Sequence, residues 1–416
     1  MTDLLLDERE QLKRYVQIGV DRCRASVAMR NIVPIDQPKG RTLIIGAGKA
    51  AAEMALEASA QVRGPKFGFI VTRYGYEHTE TIEDIIAVPA AHPVPDGRSL
   101  DASAAILALA EGATSDDRVI FLISGGGSSL LCYPIDGLSF ERKQEITRTL
   151  LTSGAPIEEI NFVRKHLSKI KGGRLSARCA VADQLTLIIS DVVGDNPSDV
   201  ASGPTLPMTF EPVRAIEVMR QYGCPPDQDL AHAILSASEE SAKVHPVKVL
   251  ATGDDALQAV QAELERDGWS VKNLGSGLKG DAKTVGEIHA RLALEAVQTG
   301  EKIAIISGGE FTVKVENSAG RGGPNLEYIA GLMSELPADA PVSAIACDSD
   351  GIDGSEDSAG AFLTRQVLNR AHRLGLDPNA ALARNDTYPF FEALDALVIT
   401  GPTRTNVNDI RIILVN

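Results

Sequence analysis

From residue 41 onward the chain repeats one alternation: a short apolar run, a stretch at helical spacing, another apolar run. "RTLIIGAG", "KFGFIVTR", "IEDIIAVPA" and "RVIFLISGGG" have strand length, while "KAAAEMALEASAQV" and "GRSLDASAAILALAEGA" read as helices. Strands that are apolar on both faces and joined through helices pair in parallel, with helices covering both sides of the sheet. Next come helices "SFERKQEITRTLLTSG" and "IEEINFVRKHLSKIKGG" and strand "QLTLIISDVVGD". The pattern loosens over 223–247, a proline-bounded stretch, then restarts with strand "VKVLATG", helix "DDALQAVQAELERDG", strand "WSVKNLG", helix "AKTVGEIHARLALEAVQTG" and strand "KIAIISGGE". Further strands are expected at "VSAIACD", "ALVIT" and "IRIILV", and a helix over 4–30 with Leu5, Leu12, Tyr15, Val16 and Val20 on one face. The expected fold is α/β: two α/β domains with mostly parallel sheets, over 1–235 and 236–416, each ending one strand in a glycine loop ("LISGGGSS" and "IISGGEFT").

Composition narrows the partners. Among 416 residues the net charge is -15 and no basic block occurs, which argues against nucleic acid or an anionic membrane as partner. A few cations in one cleft can still serve a small anionic molecule. The five cysteines, Cys23, Cys132, Cys179, Cys224 and Cys347, form no C-x-x-C pair, as suits a reducing compartment. No apolar run approaches the ~18 residues of a membrane helix. A cytoplasmic protein without a membrane partner is expected; a homodimer is allowed but not specified.

The glycine loops carry the first chemical signals. "IIGAGKAA" joins a strand to a helix, a place where backbone amides and the positive helix end collect. Gly46, Gly48 and Ala51 fit the loose G-x-G-x-x-A dinucleotide pattern, but no acid for a ribose follows the second strand, where Arg73 stands instead. It is not a Walker A loop. Lys49 there could neutralise a transferring phosphoryl group, or be a surface lysine on a plain turn. Ser124, Gly125, Gly126, Gly127, Ser128 and Ser129 read as an anion nest with hydroxyl donors. A packing turn is the alternative.

Charge is also placed unevenly. In "NFVRKHLSKIKGGRL", Val163, Leu167 and Ile170 form an apolar stripe, while Arg164, Ser168 and Lys171 share another face of the expected helix. Cations cluster there in an acidic chain, with His166 as a possible base. Past two strand ends lie acidic loops, one with Asp191 and Asp195, the other with Asp348, Asp350, Asp353 and Asp357. Such positions hold Mg²⁺ or a reacting group in open α/β sheets, although Asp-Gly turns are also common as plain structure. Arg321, between glycines before a helix, suits a flexible clamp on phosphate or carboxylate. "ITGPTRTNVNDI" offers Thr403, Asn406 and Asp409. No G-x-S-x-G elbow surrounds Ser124, Ser128 or Ser129, and H-E-x-x-H is absent.

Together "GAGKAA", "HPVPD", "SGGGSSLL", "NFVRKHLSKIKGGRLS", "SDVVGD", "ASGPT", "SGGE", "GRGGPN" and "GPTRTNVND" resemble the type II glycerate 2-kinases, whose C-terminal half is the MOFRL domain. The resemblance spans roughly 40–410. It implies a Rossmann-like N-terminal domain, a MOFRL-type C-terminal domain and an active site in the cleft between them. It also implies ATP-dependent phosphorylation of D-glycerate at its 2-hydroxyl with Mg²⁺. On that reading Lys49, Arg321 and Asp191 are catalytic. Gly46, Gly48, Ser124–Ser129, Arg164, Lys171, Gly308, Gly309, Glu310, Asn325, Thr403 and Asn406 bind substrate or nucleotide, and Asp191, Asp195 and Asp350 are metal ligands. The alternative is an NAD(P)H-dependent hydroxypyruvate reductase. Arg404 stands where many relatives have glycine.

Overall fold

The computed structural model describes residues 8–34, 36–78, 81–237, 242, 244–317, 319–354 and 356–416. They form two compact units: Ala28–Leu250, and Met1–Val27 together with Ala251–Asn416. Helix α1 (Glu8–Arg22) therefore belongs with the C-terminal residues. It buries Leu12, Tyr15, Val16 and Val20, the stripe its spacing predicts; Leu5 lies outside the described residues. The packing partner is the helix Gly253–Arg266. Arg14 pairs with Glu263 at 2.6 Å, Arg22 with Asp255 at 2.6 Å, and the Tyr15 hydroxyl donates to Asp267 at 2.6 Å.

The unit Ala28–Leu250 contains β1 (Thr42–Ala47), α2 (Ala51–Gln61), β2 (Lys66–Arg73), β3 (Ile85–Ala90), α3 (Gly97–Glu111), β4 (Arg118–Ser124), α4 (Gly127–Leu130), α5 (Phe140–Thr152), α6 (Ile157–His166), α7 (Arg174–Arg178), β5 (Asp183–Ile189), α8 (Pro212–Gln221) and β6 (Val247–Ala251). Its sheet runs β3-β2-β1-β4-β5-β6, and the pairings from β3 through β5 are parallel. This is the doubly wound Rossmann order, in which strands leave β1 in one direction and β4 in the other. All of β1 is buried, as are β4 beyond Arg118 and β5 beyond Asp183, which explains their unbroken apolar runs. The register pairs Ala47 with Ile123 and Ser124 with Ile189, so the loops after β1, β4 and β5 leave one edge side by side.

The expected boundary at 235/236 differs from this division. "VKVLATG", read as the opening strand of the second domain, forms β6 at the edge of the first sheet, and the chain passes to the other unit at Ala251. The helix expected through Lys171 ends at His166. Ser168 instead bridges to Pro134, and its hydroxyl accepts the amides of Ile170 and Lys171 at 3.2 and 3.3 Å. A serine hydroxyl competing for nearby amides turns the chain out of the helix.

The other unit continues with α9 (Gly253–Arg266), β7 (Ser270–Asn273), α10 (Ala282–Thr299), β8 (Ile303–Ser307), α11 (Pro324–Glu335), β9 (Val342–Asp348), β10 (Gly360–Leu363), α12 (Arg365–Leu374), α13 (Thr387–Ala393), β11 (Leu397–Val398) and β12 (Asp409–Val415). Its sheet order is β11-β10-β9-β12-β8-β7. Parallel pairing describes β7 with β8 alone; the remaining pairs are antiparallel. The expectation of mostly parallel strands thus fits the first sheet, while the second is mixed. The reason lies in the connections: loops without helices join β9 to β10 and β11 to β12, whereas parallel strands need a long crossover. Leu326, Ile329, Ala344, Phe391 and Ile413 centre its core.

Candidate active site

The strands diverge between β1 and β4, and there the two glycine loops of the first unit meet. Gly48 has φ +128°, and a Cβ on it would lie 2.2 Å from Ser124 Oγ. Only glycine lets the backbones approach so closely. The contact is then bonded: the Ala50 amide donates to Ser124 Oγ at 3.0 Å and the Lys49 amide to the Gly125 carbonyl at 2.8 Å. Gly48 and Ala51 donate to the carbonyls of Val71 and Gly48, at 3.1 and 3.2 Å. These amides are not the open anion cradle that "GAGKAA" suggests. Gly46 lies inside β1, packed against Ile70 and Leu122. What the loop offers the crevice is the Lys49 side chain, buried beside Gly126, where an added Cβ would stand 3.4 Å from Lys49 Cγ.

Gly126 turns the second loop in the left-handed region, φ +77°, and α4 follows. Among the described residues no protein acceptor takes the amides of Gly126, Gly127 or Ser128, as is usual at a helix start. The serines divide the remaining work. Ser129 Oγ donates to the Pro93 carbonyl at 2.6 Å, and Ser128 Oγ bonds Ser202 Oγ. Ser124 is fully buried under Ala50. The amides of 126–128 are thus left without protein acceptors among the described residues, while Ser124 and Ser129 are bonded within the protein.

Behind this loop is a cluster of cations. Lys171 Nζ donates to the Ser128 carbonyl at 2.6 Å. Arg174 donates to the carbonyls of Lys165 and Lys171 at 2.9 and 3.4 Å, at the negative end of α6. Arg164 reaches Asn161 Oδ1 at 3.5 Å. Lys143, which the sequence reading does not single out, is buried with them, its Nζ 3.5 Å from the Tyr133 carbonyl. Burial first, then Arg164 and Arg174, push Lys143 down to about 8, although the Cys132 thiol acts in the opposite sense. Lys171 is lowered well below the usual lysine range, by burial and then by Arg164 and Lys143. Burying like charges without counter-charge costs several kcal/mol per ion. His166 is no base here: Nδ1 donates to the Phe162 carbonyl at 2.9 Å, Nε2 accepts the Glu211 amide at 3.0 Å, and the ring is fully buried.

Carboxylates arrive from β5. Asp191 follows its end, in a loop closed by the Asp195 amide on the Val192 carbonyl at 2.9 Å. Because Ile189 pairs with Ser124, Asp191 leaves the sheet next to the 125–127 loop. Asp350 lies in the other unit. Its Oδ1 accepts the Ile352 amide at 2.8 Å within its own loop. Among the described residues no group of three or more His, Cys, Asp or Glu is arranged to hold a metal ion. A carboxylate beside a turn of unbonded amides would suit Mg²⁺ if phosphate bound there, since that ion takes one or two carboxylates and completes its shell with phosphate and water.

In that second unit Arg321 is gripped rather than flexible. Its amide donates to Asp386 Oδ1 at 3.1 Å, its carbonyl accepts the Tyr388 amide at 2.9 Å, and its guanidinium lies 5.3 Å over the Tyr388 ring. The flanking glycines are there for contact, since a Cβ at Gly320 would meet the Asn385 carbonyl at 2.2 Å. The side chain is 49% exposed, facing Glu356 at 3.9 Å. The Gly308–Gly309 turn is anchored by Arg411, fully buried, which donates to both carbonyls and pairs with Asp409. Gly309, at φ +92°, presses on Leu278; Glu310 is exposed. Asn325 and Thr403 turn inward: Asn325 Nδ2 donates to Asp409 at 2.6 Å and to Asp353 at 3.3 Å, and Thr403 Oγ1 donates to the Ser349 carbonyl at 2.5 Å. Asn406 is buried and accepts the Asn408 amide at 3.3 Å. Arg404 has φ +64°, with Nε buried and unbonded.

The family model described as a domain of unknown function (DUF4147) matches residues 11–237, and the MOFRL family model matches 303–409. A D-glycerate 2-kinase of Thermotoga maritima is 35% identical over 382 residues, 90% of this chain and 91% of that one. The chain belongs to the MOFRL-containing glycerate 2-kinase family. The crystal structure of a glycerate kinase from Thermotoga maritima superposes with a TM-score of 0.87 at 31% identity, over 98% of this chain and 99% of that chain. An Agrobacterium vitis relative carrying a provisional hydroxypyruvate reductase name is 41% identical over 98% of this chain and 94% of its own length. Sequence reading within this glycerate 2-kinase fold missed Lys143, Arg411 and Tyr388. For Lys143 a signal existed: it shares a helical stripe with Ile146, Thr147 and Leu150, where a lysine is out of place.

Proposed function

We propose that this protein transfers the γ-phosphoryl group of ATP to the 2-hydroxyl of D-glycerate. The observation that carries this reading is Lys49, its backbone held by the β4 loop at the switch point and its side-chain stem packed beside Gly126. Phosphoryl transfer needs positioning and charge neutralisation more than covalent help, and a lysine at an amide-lined turn supplies both. The 126–128 amides bind phosphate oxygens, Arg321 stabilises charge on the transferred group, and Asp191 accepts the hydroxyl proton or holds Mg²⁺ together with Asp195. Bound Mg²⁺ would neutralise phosphate charge. The substrate carboxylate goes to the cations around 164–174.

The same geometry weighs against the reductase reading. A dinucleotide pyrophosphate needs the amides of the first glycine turn, and here Gly48, Lys49, Ala50 and Ala51 already donate to protein oxygens. Arg73, the residue placed for a 2′-phosphate, rests over the Tyr76 ring at 5.5 Å. We place the protein in the cytoplasm, where its five unpaired buried cysteines stay reduced; no helix among the described residues is long and apolar enough to cross a membrane. The deciding experiment incubates purified protein with D-glycerate, ATP and Mg²⁺ and identifies the phosphorylated carbon. Oxidation of NADPH by hydroxypyruvate without ATP would overturn the assignment.

A further inference from the structure

Lys143 has no task in that mechanism, yet it is buried among other basic groups. It is 4% exposed on the inward stripe of α5. Among the described residues its hydrogen-bond acceptor is the Tyr133 carbonyl, at 3.5 Å, the outer limit of such a bond. The ionisable groups that face it are the Cys132 thiol, Arg164 on α6 and Arg174 on α7. Lys171, 1% exposed, is a second buried amine of the cluster. Lys143, Arg164 and Lys171 form no ion pair with any described residue, although the chain carries 56 acidic residues against 41 basic ones. A buried cationic group is ordinarily paired. Among the described residues no counter-ion answers this cluster, and an anionic ligand would supply one.

We propose that Lys143, with Arg164 and Lys171, is the seat of the substrate's carboxylate, and that Lys143 makes the enzyme select a hydroxy acid over a neutral polyol. The identity of the acid rests on the kinase reading; the anion seat does not. Lys171 ties the cluster to the Ser128 carbonyl, whereas Lys49 stands beside Gly126. The acid and the phosphoryl donor therefore meet different positions of one short segment, and each ligand has its own cations.

The test compares the parent enzyme with Lys143→Met and Lys143→Arg. Without ligand, Lys143→Met should melt higher than the parent, because an uncompensated buried charge is gone; a lysine with a structural role would give a lower melting temperature. D-Glycerate alone, but not glycerol, should raise the parent's melting temperature. That shift should vanish in Lys143→Met and persist in Lys143→Arg. The KM for D-glycerate should rise about 10- to 100-fold in Lys143→Met, the loss expected for a hydrogen bond to a charged group, with the KM for ATP within about threefold. A Lys143→Met enzyme of lower stability with an unchanged glycerate shift overturns the proposal. So does a shift given by ATP instead of D-glycerate. If Lys143→Met does not fold, Arg164→Leu is subjected to the same comparison. A parent that binds D-glycerate through Lys143 but never phosphorylates it would defeat the kinase reading and leave the seat standing.

Discussion

The hydroxyl of Ser124 accepts the Ala50 amide at 3.0 Å, so the last residue of β4 holds the turn that carries Lys49. Ser124→Ala leaves that buried amide unpaired, at a cost of about 1–3 kcal/mol. The loop should also drift, and a misplacement of about 1 Å can cost roughly 10²-fold in turnover. Urea unfolding with steady-state kinetics checks both. A variant with parental stability and kcat would show that Lys49 is positioned by other contacts.

Lys49→Ala and Arg321→Ala should each lower kcat by about 10³-fold or more, the range for groups that stabilise transferring charge. Neither should unfold the protein: Lys49 contributes its backbone to the turn, and Arg321 is held by its own amide and carbonyl. Circular dichroism and melting curves serve as controls. Turnover close to the parent in either variant removes that residue from the mechanism.

Asp353 offers a pH signature. Its carboxylate accepts the amides of Asn325 and Leu326, each at 3.0 Å, capping α11 from a distant loop. Burial is the largest influence on it and raises it to about 7, with Asp409 adding to the rise and the Asn325 and Leu326 amides opposing it. The folded-state value lies above the unfolded one, so folding takes up a proton between them. The associated stability is complete below the ordinary carboxylate range and is lost as pH climbs through about 7, by up to about 1.4 kcal/mol per pH unit. Chemical unfolding of the parent relative to Asp353→Asn across pH 5–8 should show the parent's advantage shrinking with pH. A flat difference would mean that the amides keep Asp353 charged throughout.

Arg404 occupies the left-handed region at φ +64° with its Nε buried and unbonded. A residue with a Cβ is disfavoured there by about 1–2 kcal/mol, so Arg404→Gly should raise stability by about 1 kcal/mol. Thermal unfolding measures this, and the KM for D-glycerate tells whether the guanidinium also serves the acid. A loss of stability would show that the arginine stem packs more than it strains.

How legible this molecule is depends on the range of the interaction. β1, β4 and β5 are readable because burial on both faces writes itself as an apolar run, and α1 because its stripe repeats at helical spacing. β6 reads as a strand, but nothing local says which sheet receives it. β10 escapes notice: four residues beginning with glycine carry too little pattern. At the site, the residue types that stand at strand ends are readable, while their use is not. "GAGKAA" resembles an amide cradle until Ser124 and Gly125, more than seventy residues later, take those amides. His166 resembles a base until Phe162 and Glu211 occupy its ring.

Helix α1 joins a unit whose other residues begin at Ala251. On the ribosome it emerges long before the surface it needs. While Ala28–Leu250 is made and folds as a unit of its own, the apolar stripe of Leu12, Tyr15, Val16 and Val20 must wait uncovered. It is shielded only once α9 leaves the exit tunnel. Nascent chains halted before Gly253 should therefore recruit holdase chaperones through their first helix, and chains extended past Arg266 should release them.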